Sequence, residues 1–303
     1  MASVVVFGSI NLDLVVRVTR APEAGETVSG GDLAQFPGGK GANQAVAAAR
    51  QGAEVAMIGR VGDDAFGPGL RTALAKQGVD VTGVRTWPGP SGTALVTVEE
   101  GGANRIIISP GANGSWRPSD VDGFVEVLQS TKVLLLQLEV PLPAVIRAAA
   151  IGHAAGVMVA LDPAPARPLP GELLRYVDCL LPNLGEAQAL LGPGAPSAQA
   201  DVAAELGALG PRTVVLKLGE QGILGWQAGR AVHLPPHRVR VMDTTAAGDA
   251  ASGAFAAAMA RGEDFGEALR YANAAGALAV TGLGAQPSLP GRREVRELLS
   301  REP

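Results

Sequence analysis

The sequence predicts an α/β fold: a three-layer, doubly wound, mostly parallel sheet with helices on both faces, and a small β-sheet lid. Short runs rich in β-branched and apolar residues recur along the 303-residue chain, each bounded by Gly, Pro, Asn or Asp. Helix-like stretches separate most of these runs, an alternation typical of a parallel sheet that is buried on both faces. Two segments break the alternation, and they predict the lid.

The predicted strands of the main sheet follow one another from the N-terminus. They are residues 4–10, 55–58, 133–138, 157–161, 179–181 and 213–218. The helices predicted between them are residues 42–51, 66–77, 118–129, 141–155 and 198–209. Because no linker or internal repeat divides the sequence, we expect a single domain over residues 1–303.

The two segments that form the predicted lid lie at about residues 14–36 and 92–109. The second contains TALVTVEEGGANRIIIS, in which apolar and polar residues alternate on both sides of the turn EEGGAN. A period of two is typical of half-buried antiparallel strands. Residues 14–18 are predicted to have an exposed edge that pairs with the lid of a second copy, which would give a homodimer.

The composition excludes several classes of function. Lys and Arg total 25 against 29 Asp and Glu, and there is no long basic run, which argues against nucleic acid or a membrane surface as a partner. No apolar run is long enough for a membrane span, and the first residues lack the charged start of a signal peptide. The one cysteine, Cys179, excludes a disulfide framework and favours the reducing cytoplasm.

A glycine-rich segment, FPGGKGANQAVAAA at residues 36–49, lies directly before a helix of small residues. Glycines let the backbone approach a ligand closely, and the N–H groups of a helix start bind anions or hydroxyls. The segment is not a Walker A loop, since that motif would need Gly at Ala34 and Ser or Thr at Gly41. A plain glycine turn is the alternative, although Asn43 and Gln44 in a helix of alanines favour binding.

Two polar residues follow the first predicted strand, in GSINLDLVV. Asn11 and Asp13 flank Leu12, so both side chains are expected on the same side of the chain. Ligands of α/β proteins bind at the carboxyl ends of parallel strands. An amide beside a carboxylate suits a polyol, because the pair can donate to and accept from hydroxyl groups. A turn with a helix N-cap is the alternative.

The segment DTTAAGDAASGAF, residues 243–255, contains two carboxylates separated by small residues. Asp249 is predicted at a helix N-terminus, where the N–H groups of Ala246, Ala247, Gly248 and Asp249 have no partner within the helix. Such a cluster stabilises charge on a transferring phosphoryl group, and the carboxylate can accept a proton from an attacking hydroxyl. A simple role for Asp249 as a helix cap is the equal alternative.

Six segments together resemble the ribokinase family of sugar kinases, in that family's order. They are GSINLD, GGKGANQAVAAA, QLEVP, LDPAPA, DTTAAGD and GAQPS. The resemblance extends from about residue 3 to residue 298. It implies the ribokinase-like fold and ATP-dependent phosphorylation of D-ribose at the 5-hydroxyl, giving ribose 5-phosphate and ADP, with Mg²⁺ and an activating K⁺.

The resemblance also implies roles for individual residues. Asp249 would be the general base, with Ala246, Ala247 and Gly248 as the anion hole. The residues that would hold the sugar are Asn11, Asp13, Gly39, Lys40, Gly41, Asn43, Glu139 and Asp249. The residues that would bind ATP with Mg²⁺ are Asn183, Glu186, Lys217, Leu218, Gly219, Glu220, Gln221, Gly222, Gly248 and Asn273. The K⁺ ligands would be Asp243, Thr245, Ala279, Gly282, Gly284 and Ser288.

Two positions depart from the family's pattern. The family usually reads GDTFNGAF where this chain reads GDAASGAF, and the loss of a buried Phe is expected to loosen the packing behind Asp249. Lys217, where the family often has Thr, is expected either near the nucleotide phosphates or, preferably, in solvent. Asn183 and Glu186 also have a plain alternative as the start of a helix.

Three functions are consistent with the sequence. The first is phosphorylation of ribose. The second is a kinase of the same family that acts on deoxyribose, a ketose, a sugar acid or a nucleoside. The third is a non-catalytic protein, which would bind ribose and ATP without transferring phosphate.

Overall fold

The computed structural model describes residues 1–101 and 104–301. Its strands are β1 (Val4–Phe7), β2 (Asn11–Val18), β3 (Ala34–Gly38), β4 (Val55–Gly62), β5 (Val79–Asp80), β6 (Val84–Trp87), β7 (Gly92–Glu99), β8 (Asn104–Ser109), β9 (Val133–Leu136), β10 (Met158–Leu161), β11 (Cys179–Leu180), β12 (Thr213–Lys217), β13 (Ile223–Gln227) and β14 (Arg230–Leu234). Its helices are α1 (Lys40–Arg50), α2 (Gly67–Lys76), α3 (Pro118–Val121), α4 (Val125–Gln129), α5 (Leu142–Ala154), α6 (Gly171–Leu174), α7 (Leu184–Leu191), α8 (Gln199–Ala208), α9 (Ala247–Arg261), α10 (Phe265–Ala279) and α11 (Arg292–Leu299).

The main sheet of the described residues has the order β14-β13-β12-β11-β10-β9-β1-β4-β5, and β6 also pairs with β4. Neighbours from β12 to β5 run parallel. Only the β12–β13 and β13–β14 pairs at one edge are antiparallel in this order. The predicted mostly parallel sheet is therefore confirmed, with β1 shorter and β4 longer than expected.

Hydrophobic cores lie on both faces of this sheet. Val4 and Val6 of β1 pack in a cluster with α1, α9 and α10. Val5 and Phe7 pack in a second cluster, with α5, α7 and α8. All four side chains are fully buried, which explains why the strand reads as a continuous apolar run. The predicted three-layer arrangement is confirmed.

The prediction of one continuous helix over residues 118–129 is wrong. α3 ends at Val121, a 3₁₀ turn covers residues 122–124, and α4 begins at Val125. Gly123 lies in the turn, and a Cβ there would be 3.2 Å from the guanidinium of Arg85. Asp and Gly are poor helix formers, so the chain turns at Asp122 and Gly123 instead of continuing as one helix.

The small sheet has the order β3-β2-β7-β8. The prediction of an exposed edge at residues 14–18 is wrong for Leu14 and Val15, which pair with β3 on one side and with β7 on the other, whereas among the strands residues 16–18 pair only with β7. The parallel β2–β7 pairing brings distant parts of the chain together, so the edges of this sheet are β3 and β8. Residues 102 and 103 of the predicted turn lie outside the described residues.

In the two described ranges, no helix combines the length and apolar character that a membrane span requires.

Candidate active site

The carboxyl ends of the parallel strands open onto a cleft of about 890 Å³. Asp162, Asn183 and Lys217 line it, at the ends of β10, β11 and β12. Lys40 at the start of α1 and Asp249 in the first turn of α9 also line it. Both the volume of this cleft and its position at the carboxyl ends of the strands are typical of a small-molecule site.

The glycine loop before α1 packs directly on the segment that joins β1 to β2. Gly39 has a φ of 89°, and a Cβ on it would be 2.8 Å from the backbone nitrogen of Asn11. A Cβ on Gly41 would be 2.6 Å from the backbone nitrogen of Ser9. Gly39 therefore requires glycine both for conformation and for space, and Gly41 requires it for space. The loop therefore brings Lys40 and the first turn of α1 to the cleft.

Asp249 is held in place by two amides of α1. Asn43 Nδ2 donates to its Oδ2 at 3.0 Å, and Gln44 Nε2 donates to its Oδ1 at 2.9 Å. The N-cap of α9 is Ala246, without a side-chain cap bond, so the alternative of Asp249 as a plain cap is wrong. α1 and α9 can come this close because residue 253 is a glycine. A Cβ at this position would lie only 2.7 Å from the carbonyl oxygen of Gln44.

The charges around Asp249 are unusually concentrated. Burial raises the pKa of Asp249, with Lys40 and the two amides acting against this shift and Asp162 adding to it. For Lys40, burial lowers the pKa, but the carboxylates of Asp249, Asp162, Glu139 and Glu186 outweigh it and raise the pKa overall. Lys40 is therefore a cation, and Asp249 is a stronger base than an exposed aspartate.

The start of α9 presents backbone N–H groups to the cleft. Ala246 has a φ of 60°, a left-handed conformation that costs a non-glycine residue about 1–2 kcal/mol. Among the described residues, no carbonyl or side chain accepts a hydrogen bond from the N–H of Gly248 or Asp249. The prediction was wrong for Ala247, whose N–H donates to the carbonyl of Thr244 at 3.3 Å. The remaining N–H groups form a site of positive potential.

Asn11 and Asp13 occupy alternate positions of β2 and so project from the same face. Asn113, which the sequence analysis missed, fixes the amide of Asn11, because its Nδ2 donates to Asn11 Oδ1 at 2.7 Å. Asn113 is itself held by the N–H and the carbonyl of Ile10. Because the side-chain oxygen of Asn11 is occupied by its bond with Asn113, the side-chain nitrogen of Asn11 remains as the donor for a ligand. The segment PGANGS gave no signal that separates Asn113 from an ordinary loop residue.

Glu139 joins the same group of polar residues. It accepts hydrogen bonds from Ser9 Oγ at 2.5 Å and from the backbone N–H of Lys40 at 3.0 Å. Burial raises the pKa of Asp13 from 3.8 to about 7, and the charges of Glu139 and Asp249 add to the shift. Three carboxylates and one ammonium thus surround one space, an arrangement suited to a ligand with several hydroxyl groups.

Asn183 and Glu186 form a capping box at the start of α7. Asn183 Oδ1 accepts from the Glu186 N–H at 2.8 Å, and Glu186 Oε2 accepts from the Asn183 N–H at 2.7 Å. The plain interpretation as a helix start is thus correct, yet both residues also line the cleft. Glu186 Oε1 accepts no hydrogen bond from a described residue, so it suits Mg²⁺, which is usually held through one or two carboxylates.

The loop after β12 forms one wall of the cleft. A Cβ on Gly222 would be 2.2 Å from the carbonyl of Leu234, so this turn also requires a glycine. Leu218 is buried, and the side chain of Gln221 bonds to Gln199, so these two predicted residues do not line the cleft. Of the residues predicted to bind ATP, those that do line it are Asn183, Glu186, Lys217, Gly219, Glu220, Gly222, Gly248 and Asn273.

The predicted K⁺ residues lie close to one another. Asp243 Oδ1 accepts from the N–H and hydroxyl of Thr245, and Oδ2 accepts from the Gly284 N–H at 2.8 Å. A Cβ on Gly282 would be 2.9 Å from that of Ser288, and the Gly282 N–H donates to the carbonyl of Ala279 at 3.3 Å. Burial acts to raise the pKa of Asp243, but these donors lower it overall. Carboxylate, carbonyl and hydroxyl oxygens suit a hard cation.

Asp162 is a second buried carboxylate, which the sequence analysis did not assign to the site. Its Oδ2 accepts from Gln44 Nε2 at 2.9 Å, from Lys217 Nζ at 2.8 Å and from Ser252 Oγ at 2.9 Å. The preference for Lys217 in solvent is therefore wrong, since its side chain is 12% exposed and ion-paired. Ala251 lies in the cleft wall, so this smaller residue widens the cleft instead of leaving a void behind Asp249.

Comparison with known proteins agrees with this geometry. The family model for pfkB family carbohydrate kinases matches residues 1–292. A ribokinase of Bacillus subtilis (strain 168) is 40% identical over 301 residues, 99% of this chain and 100% of that protein. A deoxyribokinase of Salmonella typhi is 36% identical over 301 residues, 98% of either protein.

Solved structures are similar over the same length. A ribokinase from Thermotoga maritima superposes with a TM-score of 0.92 at 36% identity, covering 99% of this chain and 100% of the other. The Arabidopsis thaliana ribokinase complexed with ribose and ATP gives a TM-score of 0.90 at 37% identity, covering 98% of each chain. Sequence, fold and site geometry thus agree with the resemblance drawn from six short segments, and the chain belongs to the pfkB family of carbohydrate kinases.

Proposed function

We propose that this kinase transfers the γ-phosphoryl group of ATP to the 5-hydroxyl of D-ribose, giving ribose 5-phosphate and ADP. The observation that carries the proposal is the position of Asp249. Its carboxylate is fixed by Asn43 and Gln44 and lies in the first turn of α9, next to N–H groups without protein partners. The names of the relatives support the same reaction, and the Arabidopsis ribokinase was solved with ribose and ATP.

In the proposed mechanism, Asp249 accepts the proton of the 5-hydroxyl as its oxygen attacks the γ-phosphorus. The bond from that phosphorus to the leaving oxygen of ADP breaks in the same transfer. Burial raises the pKa of Asp249, which favours proton acceptance near neutral pH. The N–H groups of Gly248 and Asp249 at the start of α9 stabilise the charge on the phosphoryl oxygens.

The sugar would lie among the polar residues around Lys40. Asn11, Asp13 and Glu139 accept from or donate to its hydroxyls, and Asn43 is close enough to bond both Asp249 and the sugar. Gly39 and Gly41 let the backbone approach it. Asn183 and Glu186 would hold Mg²⁺, which would neutralise phosphate charge. Asp243 and the oxygen ligands near it would hold K⁺, which would add positive potential beside the anion hole.

We also propose that the small sheet acts as a lid over the sugar and that two copies pair through it. Leu95, Ile106, Ile107 and Ile108 of this sheet are exposed apolar residues, and they support such pairing. The mass in solution from light scattering tests it, and a monomer at all concentrations would contradict it. The single buried cysteine, Cys179, supports a reducing compartment, the cytoplasm.

The decisive experiment is a coupled ADP-release assay over a panel of sugars, with ribose and deoxyribose first, with and without K⁺. We expect turnover to be highest on ribose and to increase with K⁺. The similarity to a deoxyribokinase favours deoxyribose as the second candidate. Activity restricted to another sugar would keep the mechanism and change the substrate. Binding of ribose and ATP without any turnover would indicate the non-catalytic alternative.

A further inference from the structure

Lys217 lines the cleft beside the start of α9. Its Nζ lies 3.5 Å from the position that a Cβ on Gly248 would occupy, at the start of α9. Its ammonium carries three hydrogen-bond donors. Asp162 Oδ2 at 2.8 Å and Ser252 Oγ at 3.4 Å accept from it. One donor therefore remains, on a cation that already lies beside the backbone N–H groups of α9.

The surroundings hold this cation in a defined place. Asp162 is 1% exposed and Ser252 is fully buried. Ser252 accepts from Lys217 and donates to Asp162, so the three side chains form a closed triangle of hydrogen bonds. Lys40 is the other lysine that lines the cleft, and it lies at the start of α1, beside Glu139. The cleft thus has separate ammonium groups from α1 and from β12.

We propose that Lys217 is a catalytic residue of this enzyme, whose ammonium contacts the γ-phosphoryl group during its transfer, and that Asp162 and Ser252 position it. The proposal rests on the proposed function, since it concerns the same transfer to the sugar. Charge accumulates on the phosphoryl oxygens as they meet the α9 N-terminus, and a preorganised cation there stabilises it. Lysine serves this purpose as a point charge that needs no bidentate geometry.

A purely structural role is the competing explanation, because Lys217 also neutralises a buried carboxylate. The single variant Lys217→Met would leave Asp162 buried without its cation, and such a change is strongly destabilising. The double variant Lys217→Met with Asp162→Asn removes both charges and keeps the size of both side chains. Gln44 and Ser252 can still donate to the amide oxygen at position 162, so we expect this variant to fold.

The test measures kcat on ribose, and ATP and ADP affinity by calorimetry without sugar. We expect the double variant to lose about 10- to 100-fold in kcat, the range of a charge-assisted hydrogen bond. We also expect its affinity for ATP to fall more than its affinity for ADP, since only ATP carries the γ-phosphate. Lys217→Arg should retain part of the rate. The matched control is Lys132→Met, whose ammonium bonds the carbonyl of Ala260 and does not line the cleft.

Wild-type kcat in the double variant, with equal changes in ATP and ADP affinity, would overturn the proposal and leave Lys217 as a neutralising group. Failure of the proposed function has a different signature. In that case the wild-type enzyme itself would be inactive on every sugar of the panel. The preference for ATP over ADP in binding would still test Lys217, because it requires no turnover.

Discussion

On the sugar side of Asp249 the polar side chains are bonded to one another, whereas on the nucleotide side many small residues lie in the wall of the cleft. Asn11 is fixed by Asn113, and Glu139 by Ser9 and Lys40. On the other side the wall includes, beside charged residues such as Glu186 and Lys217, the small residues Gly219, Gly222, Ala246, Ala247, Gly248, Ala251, Gly276 and Ala277.

This difference indicates how each ligand is selected. A site built to hydrogen-bond hydroxyls discriminates strongly, because an analogue that lacks one leaves buried polar groups unpaired. A wall of small residues accepts a ligand by shape and by the potential of helix N-termini, which is a weaker filter. We therefore expect substitutions on the sugar side to change selectivity and those on the nucleotide side to change affinity or rate.

The largest effect is expected at the boundary between the two sides. Asp249→Asn should lower kcat by about 10²-fold or more, because the amide cannot accept the proton. Ribose affinity, measured by calorimetry, should change little. The control is Asp264→Asn, which alters the N-cap of α10, where Asp264 accepts from the Glu267 N–H at 2.9 Å. A near wild-type rate for Asp249→Asn would refute its assignment as the base.

A second prediction concerns the glycine loop on the sugar side. Gly39→Ala should lower the free energy of unfolding by about 2–4 kcal/mol and raise the KM for ribose, since the methyl group would meet the backbone of Asn11. Gly78→Ala is the matched control, because Gly78 has a φ of 81° but no atom within 4 Å of a Cβ. If both variants lose the same stability in thermal melts, the predicted clash between the methyl group at position 39 and the backbone of Asn11 does not destabilise the protein.

A third prediction concerns pH and Asp13. Its pKa of about 7, against an ordinary value of 3.8, means that the folded protein binds this proton more tightly than the unfolded chain. The resulting stability is full below pH 3.8 and is lost as the pH rises through 7. If the carboxylate binds the sugar, ribose KM should increase by up to about tenfold between pH 8 and pH 6.

The variant Asp13→Asn separates this group from the others that titrate nearby. It should bind ribose more weakly at pH 8, with a KM that no longer depends on pH between 6 and 8. Its thermal stability should also lose the fall that the wild-type protein shows as the pH rises through 7. An unchanged pH profile of KM would assign the titration to another group, such as Asp249, whose pKa burial also raises.

The smallest effect is expected on the nucleotide side, at Asn183. Asn183→Ala removes the α7 cap and should lower the free energy of unfolding by about 1 kcal/mol. It should also raise the KM for MgATP several-fold. Asp264→Ala removes a comparable cap outside the cleft and should cost similar stability without changing that KM. Equal KM values for MgATP in the two variants would show that Asn183 acts only as a helix cap.

Much of this molecule was predictable from its sequence. The near-continuous apolar strands and the helices between them predicted a parallel sheet covered on both faces, because those patterns are local consequences of burial. The glycines before α1 predicted a close backbone approach, and Gly39 and Gly41 lie where only glycine fits. The small residues around Asp249 likewise predicted a helix start at a ligand site.

The tertiary structure alone decided which residues meet. Asp162 bonds Lys217 across 55 positions of the chain, and Asn113 bonds Asn11 across 102. No local pattern records such partners, because they follow from the order of strands in the sheet. The same reason explains the wrong prediction of an exposed edge at Leu14 and Val15, which lie between β3 and β7. Sequence determined the elements and the general base of the proposed reaction, whereas strand order gave Lys217 its place beside the start of α9.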